Sequence, residues 1–293
     1  MITAKNYAAQ ASRYLESLFD TLIKLKLPGD ANKVSHLIGD ISKAVHFAIP
    51  DGGFILNTKD FLTLEGRPFR MPYPVITVEF ASPDSVVAKH VMVAVEIPKD
   101  NILVQSVIGD AGGEYEIATL VVSIVLMAGG IRDWDLLPTA ILMTDRPKIS
   151  DNGKAIEFFP FRLLPKLMDA MPNKATIEQY VDMNKRHVTP LCEFIAALSC
   201  TNVGTETHQE AYRDNAKRIS KGKLPIYETK TLTLNVTGGK KGGAPGGCGS
   251  STPKRQHFRR GYIRHLASGN YWVNACIVGK NRNGFIDKDY VVR

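Results

Sequence analysis

The spacing of apolar positions changes along this chain, and the changes mark its elements. From Thr3 to Leu27, Tyr7, Ala11, Tyr14, Leu15, Leu18, Leu22 and Leu25 recur every three or four positions. That predicts an amphipathic helix with Thr3 as N-cap and Pro28-Gly29 as its end. Asn32 to Phe47 repeats the spacing more weakly, up to Pro50-Asp-Gly-Gly53. From Phe54 the period falls to two. Tyr73 to Phe80 and Val86 to Ile97 predict strands joined at Ser82-Pro-Asp-Ser85, and Ile102 to Ile108 predicts a third. Thr139 to Thr144 and Ala155 to Leu164 add two more, while Tyr115 to Met127 fits a buried strand or a strand followed by helix. Successive strands with short turns favour an antiparallel sheet over βαβ units. Thr176 to Cys200 is the strongest helical pattern, with Pro190 expected to kink or divide it. Thr207 to Ser220 predicts a further helix and Pro225 to Val236 a strand.

Glycine then takes over. Gly238 to Gly249 holds seven glycines in 12 residues, with Lys240, Lys241 and Pro245, a composition that buries no apolar area and predicts a flexible tether. Beyond it, Gly261 to Leu266 and Asn270 to Val278 flank Ala267-Ser-Gly-Asn270 as a hairpin, and Phe285 to Val292 forms a third run. The expected fold class is α+β: an antiparallel sheet with N-terminal and central helices, plus a tethered basic C-terminal β-ribbon. The expected domains are a body over 1–236, a tether over 237–252 and a ribbon over 253–293. A ribbon this small needs support, so Tyr271, Trp272 and Ile277 are expected to pack on the strand at 225–236 or on a partner.

Charge sharpens this division. Residues 211–293 hold 17 Lys and Arg against 4 Asp and Glu, whereas residues 1–210 hold 20 against 25. An acidic body with a basic tail points to a polyanion or an acidic protein surface, or else to a solvated surface that aids solubility. The rest of the composition, 44% hydrophobic and 23% charged, is that of an ordinary soluble chain. The four cysteines have no CxxC pairing, and the first residues do not read as a secretion signal, so a reducing compartment is expected. Ile117 to Gly130 is too short to span a bilayer as a helix.

Catalytic motifs are absent: no GxGxxG after a strand, no GxxxxGK[ST], no HExxH and no GxSxG. Asp84, Glu96 and Lys99 have the residue types of a metal-dependent nuclease, but Glu96 and Lys99 sit three steps apart with Pro98 between, the wrong spacing for one strand face. Cys192 with His187 could be nucleophile and base, yet a Cys on an amphipathic helix is usually a small hydrophobe. His257 and His265 lack the cysteine pair or carboxylates of a zinc site. No cofactor or metal is expected. The stronger signal is the ribbon, where Lys254, Arg255, His257, Arg259, Arg260, Tyr262, Arg264 and Trp272 form a candidate binding set for protein or nucleic acid. Arginines grip carboxylates or phosphates bidentately, aromatic rings stack on bases, and both are typical of protein hot spots.

These residues also carry a resemblance. Asn215-Ala-Lys-Arg218, Gly222-Lys-Leu-Pro-Ile-Tyr-Glu228, His257-Phe-Arg-Arg-Gly-Tyr-Ile-Arg264, Trp272-Val273, Val278-Gly279 and Lys288-Asp-Tyr290 resemble an uncharacterised phage and prophage family with the pattern RRGHxR, WV, VG, KDY. The resemblance covers about 100 C-terminal residues. Tyr262 stands where that family usually has His, so no histidine role carries over there. The resemblance implies a phage origin and action in the host cytoplasm. Taken together, the expectation is a non-enzymatic protein that engages and inhibits or modulates a host protein complex, such as defence or transcription machinery. A nucleic-acid-binding protein is the first alternative and a nucleic-acid-processing enzyme with a non-standard site the second. No membrane partner is expected, and a tethered ribbon permits exchange between protomers of a homo-oligomer.

Overall fold

The computed structural model describes residues 6–53, 55, 71–81, 87–98, 100–101, 117–127, 134–136, 139–143, 158–161, 163–164, 177–209, 212–234, 256–259, 262–273, 276–278 and 285–286. The chain begins with two helices, α1 (Tyr7–Lys24) and α2 (Pro28–Lys43). Ala11, Leu15 and Leu22 line the buried side of α1, as their spacing predicts, and Ala8 joins them, whereas Leu25 lies past the end of the helix and is exposed. Its end differs from expectation. The Leu27 N–H donates to Leu22 O and the Lys26 N–H to Ile23 O, with Lys26 at φ 58, which is a Schellman closure with its Leu22–Leu27 apolar partners in one cluster. Pro28 then opens α2, because its missing N–H and fixed φ suit a first helical turn.

The strands follow as β1 (Val45–Ala48), β2 (Val75–Ala81), β3 (Val87–Pro98), β4 (Ile117–Met127), β5 (Trp134–Leu136), β6 (Thr139–Met143) and β7 (Phe158–Phe161). After them come α3 (Ile177–Leu198), β8 (Val203–His208), α4 (Tyr212–Ser220) and β9 (Thr229–Leu234). Among the described residues, nine strands form one sheet in the order β7-β6-β4-β3-β2-β1-β9-β8, with β5 also beside β4. The fold is α+β, but the sheet is mixed rather than antiparallel, since β1 runs parallel to both β2 and β9. The expectation failed at β1. Val45-His-Phe-Ala48 continues the spacing of the preceding helix, yet its β-branched and aromatic residues pair into the sheet once α2 ends at Lys43. Likewise, Thr207 and His208 belong to β8, because pairing with β9 from Val203↔Leu234 to His208↔Thr229 outweighs a helical reading. Tyr115 to Met127 resolves as strand over Ile117–Met127. Pro190 lies inside one continuous helix rather than between two. The expected strand at Ile102 to Ile108 and the segment 237–252 lie outside the described residues.

Strand alternation then decides the layers. On β3, Val91 and Val93 face the cluster under α1 and α2, whereas Met92 and Ala94 face the cluster under α3. Phe47, Ile76, Val78 and Val121 complete the α3 side with Leu191, Phe194 and Ile195. Helices therefore cover both faces, and the parallel strand β1 is buried as such strands usually are. Gly53, at φ 74, closes the turn after β1, where an added Cβ would lie 2.7 Å from the Phe80 ring. At the far edge, β7 carries Pro160, a residue suited to an edge because it cannot donate to a further strand. Among the described residues, no helix is long and apolar enough to cross a membrane.

Candidate interaction surface

Towards the C-terminus the described strands are β10 (Gln256–Arg259), β11 (Tyr262–Leu266), β12 (Gly269–Val273), β13 (Cys276–Val278) and β14 (Phe285–Ile286), which fall in two separate small sheets. β11 and β12 form the expected hairpin, in register from Tyr262↔Val273 to Leu266↔Gly269. β10 pairs antiparallel with β13 and parallel with β14, a small sheet in which β10 was not anticipated as a strand. The hairpin does not stand free of the body. It docks on the turn where α3 gives way to β8, and a short set of polar groups holds it there.

Asn202 is the centre of this mount. Its side-chain amide donates from Nδ2 to Trp272 O at 2.7 Å and accepts at Oδ1 from the Trp272 N–H at 2.7 Å. One side chain thus imitates the backbone of a neighbouring strand. Thr201 adds its N–H to Asn270 O at 2.8 Å and its hydroxyl to the same oxygen at 3.1 Å. Asn270 is buried and donates from Nδ2 to Ser199 Oγ at 3.1 Å, while Cys200 forms a parallel bridge with Asn270. Gly269 lies against Thr201 at φ 129, and a Cβ there would stand 3.0 Å from Thr201 Cγ2. Trp272 is half-buried and packs against the core cluster that also holds Val203 and Leu232. Leu232, on the strand expected to support the hairpin, packs against the same cluster as Trp272, and the polar fastening of the hairpin comes from residues 199–202.

Seen from this mount, the candidate residues separate. Trp272 faces the body and anchors the hairpin. Arg264 is exposed and opposite half-buried Tyr271, and Leu266 is exposed as well. Tyr262 pairs with Val273 on the same ladder. His257 and Arg259 sit on β10, paired with Val278 and Cys276. Lys254, Arg255 and Arg260 lie outside the described residues. Ser199, Thr201, Asn202 and Asn270, which fix the presentation, carry no local signature of that role, since partners some 70 positions apart leave no local pattern.

Other chemical candidates fall elsewhere. Cys192 is buried, and burial followed by the Glu193 charge pushes its thiol far above the ordinary range. Burial also raises Cys200 to about 11. Such thiols remain protonated near neutrality and are poor nucleophiles. Glu96 lies half-buried on β3, and Asp84 and Lys99 lie outside the described residues. Among the described residues, no group of three or more His, Cys, Asp and Glu side chains is placed to hold a metal ion.

On the opposite sheet face from α3, Glu79 of β2 is buried and accepts from the N–H groups of Asn6, Tyr7 and Ala8 at 3.0, 2.7 and 3.1 Å. A carboxylate from the sheet thereby caps α1. Asn6 Nδ2 donates to Pro225 O, and Asn6 Oδ1 accepts from the Tyr227 N–H. Asn215 grips Ile226 through both N–H and C=O, so the approach to β9 is fastened to α1 and α4. These contacts are architectural. No protein-family model, no curated protein and no solved structure matches the chain.

Proposed function

We propose that this is a phage-encoded binding protein that engages a host protein complex and inhibits or modulates it, working in the host cytoplasm through its basic C-terminal ribbon. The observation that carries this reading is the mount. Asn202, Thr201 and Asn270 fasten one edge of the hairpin to the body, and Arg264, Leu266 and Tyr271 remain at the surface. A preorganised display loses less entropy on binding than a mobile one, and arginine beside an aromatic ring is a common hot-spot pairing. The concentration of 17 basic against 4 acidic residues in 211–293 favours an acidic target. The resemblance of the ribbon to phage and prophage proteins supports the host setting.

The deciding experiment is capture from host lysate treated with nuclease, comparing the native chain with the combined Arg259→Glu, Arg260→Glu and Arg264→Glu chain. The native chain is expected to retain a stoichiometric protein partner, and the reversed-charge chain to lose it while remaining folded. Equal capture by both would remove the ribbon from the function. The register pair Arg264↔Tyr271 also favours a second reading, phosphate and base contact with nucleic acid. That reading requires duplex affinity to fall with salt at a log-log slope of roughly −0.9 per phosphate contact. A nuclease-sensitive, salt-labile capture would select it.

A further inference from the structure

The backbone of the hairpin shows which of its edges turns away from the Asn202 mount. Opposite residues in an antiparallel pair alternate between those bonded across the pair and those whose N–H and C=O face outward. Asn270 and Trp272 belong to the outward set, because Asn270 O accepts from Thr201 and both backbone groups of Trp272 bond to Asn202. Their register partners are His265 and Ile263. The backbone groups of those two residues must therefore face outward on the other side, along the outer edge of β11. Among the described residues, β12 is the one strand beside β11. Arg264 lies between the two outward positions and is exposed, with exposed Leu266 next along the strand.

We propose that the outer edge of β11 receives an extended acidic polypeptide segment by strand addition. This rests on the proposed binding function and names the chemical class of its partner. The backbone of Ile263 and His265 pairs with the incoming strand, and acidic side chains of that strand meet Arg264. Strand addition supplies affinity through main-chain hydrogen bonds and selectivity through alternate side chains. Charge complementarity chooses the occupant, since the 211–293 segment is strongly basic and repels basic edges. The Asn202 mount closes the β12 edge to the same use.

The test uses the full chain and a fluorescently labelled peptide that alternates Glu with Val and Thr. Fluorescence anisotropy is expected to show saturable binding. Amide hydrogen exchange should slow at Ile263 and His265 on binding, whereas the amides of Tyr262 and Arg264, already turned toward β12, should change little. His265→Pro removes an outward N–H and leaves the β11–β12 ladder its donors, so it should weaken binding about tenfold. If that variant loses the hairpin, judged by the exchange rate of the Arg264 amide, the exchange pattern of the native chain decides alone. Peptide binding without slowed exchange at Ile263 and His265 overturns strand addition and leaves a charge-only surface. Failure to bind the peptide while a host protein is still captured overturns the inference but preserves the binding function. Loss of both removes the two together, and binding of duplex DNA with none of the peptide also overturns it.

Discussion

His46 is a buried histidine held in its neutral form. It lies on β1 with its ring stacked on Tyr227 at 4.5 Å and Nδ1 2.7 Å from Thr77 Oγ1. Burial lowers its pKa from 6.5 to about 4. The folded value is below the unfolded one, so the ring binds a proton less well in the fold than in the open chain. The contribution of His46 is therefore complete above the unfolded pKa and is lost as pH falls from 6.5 toward about 4. The native chain should lose about 2 kcal/mol more stability between pH 7 and pH 5 than a His46→Gln chain, by urea unfolding at both pH values. Equal losses would mean that the folded ring takes up its proton as readily as the unfolded one. The sequence places His46 beside Phe47 but says nothing of its ionisation. That depends on burial, to which the ring of Tyr227, distant in the chain, contributes by stacking on His46.

At the level of elements, α1 illustrates what a pattern leaves out. Its apolar stripe is plain from spacing, but Thr3 was expected to cap it, and the observed anion at its N-terminus is Glu79, 71 to 73 positions away. The first turn of α1 contains no acidic residue, so the carboxylate from β2 meets both the orphan N–H groups and the positive end of the helix dipole. Glu79→Gln should cost about 2 kcal/mol by thermal or chemical denaturation, because it exchanges charge-assisted bonds for weaker ones and points an NH₂ group at backbone donors. A loss below a few tenths of a kcal/mol would show that water or Asn6 can take over the cap. A lone acid in the apolar strand Val75-Ile-Thr-Val-Glu-Phe-Ala81 was a visible signal that this position had a buried partner. Its identity was not visible. The hairpin shows the reverse case: β11 and β12 were legible as alternating runs about a glycine-containing turn, while the edge that would meet the body was not.

For the whole molecule, the decisive relation is between the hairpin and the sheet. Asn202→Ala deletes two hydrogen bonds of 2.7 Å, leaving Trp272 held by packing and the hairpin by the Thr201 bonds to Asn270 O. The hairpin should then open about tenfold more often, with faster amide exchange at Trp272 and little change in the core strands β2, β3 and β4. Uniformly faster exchange throughout would show instead that hairpin and sheet unfold as one unit. The sequence alone determined the helices α1 and α3, most central strands, the hairpin, the α+β class and the separation of acidic body from basic tail. Each depends on spacing, turn chemistry or charge within a short window. The tertiary structure decided that the sheet is mixed, that Val45–Ala48 joins β2 and β9, that Glu79 caps α1, and that Asn202 holds Trp272. The physical reason is the same in all four. A backbone donor, a carboxylate or an edge strand accepts many partners equally well in local sequence, and its partner is chosen only when packing of the two apolar clusters brings distant segments into register.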